Sequence, residues 1–156
     1  MSDPIELLER RVQSVVTQKD STFGLHFFCQ IGGRYDERGI ITLQVSGSGW
    51  ALLSWRQSEE TDMFSFQLRD EDMKRLYEVV LEHPFWRATP KRRSRKEHEI
   101  NHHFRLSDQA AGTCNGIQFW SDDMEEFPIL RTLVERLLRL INLLSDDEIP
   151  TEEFTP

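Results

Sequence analysis

Apolar residues recur at helical spacing in three stretches of the chain. Ile5, Leu8, Val12, Val15 and Val16 form one stripe. It opens on Asp3-Pro4-Ile5-Glu6, where Asp3 suits the cap, Pro4 the first helical position and Glu6 a capping box. Met73, Leu76, Val79 and Val80 form a second stripe behind Asp70 to Asp72. That helix is predicted to stop near His83, because Pro84 disfavours α geometry in the residue before it. The third stripe, Leu130, Leu133, Val134, Leu137, Leu138, Ile141 and Leu144, predicts a helix from Phe127 or Pro128 to Leu144.

Between these lie segments with a two-residue repeat. Leu25, Phe27 and Cys29 alternate with His26 and Phe28 across Phe23 to Ile31. Ile40 to Val45, Trp50 to Arg56 and Met63 to Leu68 read as three more strands joined by short polar or glycine-rich turns. Ile100 to Leu106 and Gly116 to Trp120 read as a closing pair. Strands in runs, rather than alternating with helices, predict an α+β fold. The expected architecture is an antiparallel sheet, a meander of about four strands plus a two-stranded hairpin, with helices packed against it in the order α-ββββ-α-ββ-α. Residues 1–145 are expected to form a single domain. Residues 146–156, with Asp146, Asp147, Glu148, Glu152 and Glu153 and no basic residue, are expected to be an acidic, disordered tail. In element order alone this layout resembles the secretion chaperones that bind effectors as dimers, which implies a partner-binding protein.

Composition narrows the class. A chain of 156 residues with 38% hydrophobic content builds a core without a disulfide or metal. The two cysteines, Cys29 and Cys114, show no paired spacing and read as reduced thiols. The N-terminus shows no signal-peptide pattern and no run is apolar enough to span a membrane, so a soluble, cytoplasmic protein is expected. The net charge of −8 is uneven. Against the acidic tail stands one basic run, Lys91, Arg92, Arg93, Ser94, Arg95 and Lys96. Its basic residues are the candidate contacts for an anion or a partner.

Four motifs invite chemistry. His98-Glu99-Ile100-Asn101-His102 matches the zinc-peptidase pattern, which works when a helix brings both histidines to one ion. The local alternation favours a strand, on which a four-residue step spans roughly 13 Å, too far for one zinc ion to bridge. Ser46-Gly47-Ser48-Gly49 lies between strands and reads as a hairpin turn, not a phosphate loop. Asp122, Asp123, Glu125 and Glu126 stand before a helix and read as caps. His26 and His103 have no nucleophile identifiable beside them. The expectation is a non-enzymatic interaction protein with no cofactor and no metal, chaperone-like, with another protein as partner and a homodimer as its own assembly. The rival readings are a small metal-dependent hydrolase using His98, Glu99 and His102, and an anion or nucleic-acid binder using the loop 91–96.

Overall fold

A computed structural model describes residues 3–34 and 36–156. Helix α1 spans Pro4–Val16 and strands β1 to β4 span Leu25–Gly32, Ile40–Ser46, Trp50–Gln57 and Glu60–Gln67. Helix α2 (Asp70–Glu82) and a 3-10 turn (Phe85–Arg87) lead to β5 (Asn101–Asp108) and β6 (Thr113–Trp120). A short α3 (Asp123–Glu126), the long α4 (Pro128–Leu144) and a second 3-10 turn (Thr151–Phe154) close the chain. The six strands form one antiparallel sheet ordered β4-β3-β2-β1-β5-β6. The α+β class and the element order are those expected from the sequence.

The local reasons match the sequence reading. Asp3 Oδ1 accepts the Ile5 N–H and caps α1, with Pro4 behind it. The turn between β2 and β3 closes with the Gly49 N–H on the Ser46 carbonyl, and Gly49 takes φ 88°, which a side chain would resist. Residue 63 is not the start of β4, which begins at Glu60. The acidic connection is correspondingly shorter, because Glu60 to Asp62 pair with Gln57 to Trp55.

One face of the sheet carries the core. Leu25, Phe27, Cys29 and Ile31 of β1, Ile41, Leu43 and Val45 of β2, and Phe104 and Leu106 of β5 are buried on it. The stripes of all three long helices are buried too, through Val12, Tyr77 and Leu137 among others. Phe85 and Trp86 are buried directly after α2, in T-shaped contact with a 5.1 Å centroid separation. They pin the helix end under the sheet, as two adjacent large aromatics at that place should. Trp86 Nε1 and the Arg87 guanidinium both bond the Glu9 carboxylate on α1, at 2.8 and 2.6 Å.

Three details depart from expectation. The segment 146–156 is docked: Ile149 and Phe154 are buried, and the Ile149 N–H reaches Ser145 Oγ. Two apolar side chains reaching a pocket beside α4 outweigh the acidic composition that suggested disorder. The acids before α4 do not cap it; its N-cap is Phe127, with no side-chain bond. Asp123 instead accepts the Trp120 N–H and the Arg93 guanidinium. The third departure is in the basic run: Arg93, expected among its free contacts, is tied into the fold by Glu99 and Asp123. Among the described residues, no helix is long and apolar enough to cross a membrane.

Candidate interaction surface

The strand registers fix which side chains share the face away from the helices. His26, Phe28 and Gln30 point there from β1, Thr42 and Gln44 from β2, Leu52 and Ser54 from β3. Met63 and Ser65 follow on β4, and His103, Arg105, Gly116 and Gln118 on β5 and β6. Every side chain at these outward positions is exposed or half-buried, so none of the described elements covers the face. Trp50 is 51% and Met63 64% exposed.

The charge on this face is one-sided. Its outward strand positions include Arg56 and Arg105 and not one carboxylate, in a chain that carries 27 Asp and Glu against 19 Lys and Arg. At its centre the Arg105 guanidinium carbon lies 4.9 Å from the Phe28 ring centroid, a cation–π arrangement. His103 meets the same ring edge-on at 5.4 Å. Partial burial lowers the pKa of His26 and of His103, and Arg105 adds to both shifts. Both shifts favour the neutral imidazole.

The basic run forms a strap at one end of this face. Arg93 is its anchor. Its guanidinium donates to both Glu99 oxygens at 2.7 and 2.6 Å and to Asp123 Oδ1 at 3.1 Å. Its carbonyl accepts the Trp120 indole N–H at 3.2 Å. Glu99 also takes the backbone N–H groups of Lys96 and Asp122. The Arg93 pair, outweighing desolvation, holds the Glu99 carboxyl down at about 2. Arg95 Nε bonds the Glu99 carbonyl, and its side chain lines a cleft with Gly33, Asn101 and Trp120. Lys91, Arg92 and Lys96 are exposed, and among the described residues their side chains make no ion pair or hydrogen bond. Of the basic residues singled out from sequence, Arg93 is thus a clamp, Arg95 is half committed, and Lys91, Arg92 and Lys96 remain available.

The peptidase-like motif separates in space. His98 sits in a turn at φ 66° with its side chain 88% exposed, before the strand begins. Glu99 is occupied by Arg93 and by the N–H groups of Lys96 and Asp122. His102 points from β5 into the core, 0% exposed, stacked on Phe119 at 4.7 Å with planes 2° apart. Among the described residues, neither ring nitrogen of His102 has a hydrogen-bond partner. Burial pushes it down to about 4, against the neighbouring backbone of Ile100 and Phe119, which favours the charged ring without completing a bond. Among the described residues no three His, Cys, Asp or Glu side chains are grouped to hold a metal ion. Cys29 is buried and its thiol pKa is raised by desolvation, whereas Cys114 is exposed; both are free.

The sequence reading named the strap but missed Phe28, Arg105 and the row around them. Their alternation was visible; that β5 pairs with β1 rather than following β4 was not. No protein-family model matches this chain, and no curated protein matches it.

Proposed function

We propose that this protein is a non-enzymatic binding module whose open sheet face and basic strap take an acidic segment of a partner protein. The observation that carries the reading is a face without carboxylates on a protein of net charge −8. Random placement of so many acids would put several there. Their exclusion leaves Arg105 and Arg56 as the charges of the face, continued at its end by Lys91, Arg92 and Lys96. Apolar groups at Trp50, Leu52 and Met63 supply area for burial, and the arginines supply charge complementarity, which favours capture of an acidic partner over a basic one.

Single-stranded nucleic acid fits less well. Bases stack on free aromatic faces, and the Phe28 face already holds Arg105. A hydrolase reading lacks support from the separated His98 and His102. The two unpaired thiols favour a reducing compartment, consistent with a cytoplasmic location.

The test is an amide NMR titration with a twelve-residue peptide alternating Glu and Leu, against its Lys counterpart and a single-stranded oligonucleotide. Shifts confined to β1, β5 and the strap, seen with the Glu peptide, weakened by salt and by Arg105→Glu or Arg92→Glu, are expected. Tighter binding of the oligonucleotide, or Glu-peptide shifts elsewhere on the surface, overturns the reading.

A further inference from the structure

We propose that β6 is a self-pairing edge, and that two copies of this chain join there through antiparallel β6 strands into one continuous sheet. The bare edge follows from the ladder. The Ser121 N–H bonds the Ile100 carbonyl, and the Gln109 N–H bonds the Gly24 carbonyl. With the registers of β5, this turns Thr113, Asn115, Ile117 and Phe119 toward β5 and Cys114, Gly116, Gln118 and Trp120 away from it. The outward Trp120 N–H is taken by Asp123 at 2.9 Å. Among the described residues, the outward backbone groups of Cys114, Gly116 and Gln118 have no partner. Three consecutive rungs therefore stand open, closed off at one end by Asp123.

An open edge is normally guarded by charge, proline or a covering element. The opposite edge is guarded, since β4 carries Glu60 and Asp62. Thr113–Trp120 carries no charged residue and no proline. A second copy is the occupant that this neutrality fits. Two chains of net charge −8 repel over most of their surface, and here they meet with no charge on either strand. The turn 109–112, which would lie beside the other copy's strap, is uncharged as well.

The three rungs also fix the register. Centring the two-fold axis on Gly116 uses all of them, setting Gly116 against its own copy and Cys114 against Gln118 of the other chain. Moving the centre to Gln118 would set Trp120, already bonded to Asp123, against Gly116. Moving it to Cys114 would run the pairing into Gly112, in the turn. At Gly116 no side chain stands on the axis, so the copies close without a clash on the open face. The result is a twelve-stranded sheet with two copies of that face side by side.

The experiment is sedimentation across a concentration series, with register-specific variants. Wild type is expected to dimerise, and Cys114→Lys with Gln118→Lys, which sets lysine against lysine at both pairs, to weaken association at least tenfold. Cys114→Lys with Gln118→Glu sets opposite charges against each other and is expected to restore the dimer. A fold defect would not be rescued this way. Separately, Gln118→Cys brings sulfurs of the two chains to a pair with Cα atoms about 5.5 Å apart, within disulfide range. Mild oxidation should then cross-link the chains, whereas wild-type Cys114 lies roughly 14 Å from its own copy in this register and should not. A monomer at all concentrations, an unaffected lysine double variant, or absence of the cross-link overturns the proposal. The acidic-peptide titration reads Arg105 and Arg92 instead, so either idea fails without the other.

Discussion

Arg93 and Glu99 face each other across the strap through two bonds of 2.7 and 2.6 Å, and Glu99 is only 2% exposed. This pair turns a run of like charges into a fixed element. Removing the carboxylate leaves the guanidinium with only Asp123 and the Ser94 carbonyl and strands the N–H groups of Lys96 and Asp122. Glu99→Ala should therefore cost roughly 1–3 kcal/mol for the unsatisfied donors. It should also raise amide exchange across residues 91–98, measured by hydrogen–deuterium exchange. Unchanged exchange there would show that the strap is held by something else.

Glu99 also sets an acid limit. Its folded value of about 2 lies below the ordinary 4.5, so its contribution is present above pH 4.5 and is lost as pH falls toward 2. Glu99→Gln should flatten the loss of stability in that window while lowering stability at neutral pH. Urea midpoints at pH 2.5, 3.5 and 7 check it.

His102 acts in a different window. Its folded value of about 4 lies below the ordinary 6.5, so the unfolded chain binds the proton first. Stability is full above pH 6.5 and falls by roughly 3 kcal/mol by pH 4. The groups around the ring are Phe104 and Phe119 at ring distance and the Asp123 charge further off. His102→Phe keeps the stack and removes the titration. The variant's midpoint should decline less than that of the wild type between pH 6.5 and 5, the remaining decline coming from His26 and His103. Parallel curves would mean that another group titrates.

Much of this architecture is legible because its signals are local. The alternation of Ile100, His102, Phe104 and Leu106 against Asn101, His103 and Arg105 needs no partner strand to be seen. It is enough to remove the peptidase-like motif from a helix. Arg93 was not separable from Arg92 and Arg95, because its partners are six and thirty residues away and were themselves read as a motif and as helix caps. The row around Phe28 depends on β5 lying beside β1, a pairing of segments over seventy residues apart. Residues 146–156 misled for another reason. Composition there reports the exposed acids, while docking depends on two apolar residues with no period to betray them.

The closing segment supplies a further prediction. Phe154 is 0% and Ile149 1% exposed, against Glu152 and Glu153, which are exposed beside them. The chain turns back after α4 through Asp146 and Asp147, both at positive φ, and the Asp147 N–H bonds the Asn142 carbonyl. That reversal lays the second 3-10 turn against α4, whose Leu138 is buried nearby and lines a shallow cleft with Thr151. Phe154→Ala removes a fully buried ring and should cost about 3–5 kcal/mol. For a chain of 156 residues that is a fall in Tm on the order of 10 °C. Ending the chain at Ser145 removes Ile149 as well and should cost at least as much. Glu152→Gln with Glu153→Gln changes the charge and leaves the packing alone, so its Tm should stay within a few degrees. If truncation at Ser145 left the Tm unchanged, the segment would be a detachable acidic tail and its apolar contacts would carry no stability. If the glutamine variant fell as far as Phe154→Ala, charge rather than burial would be holding the segment in place.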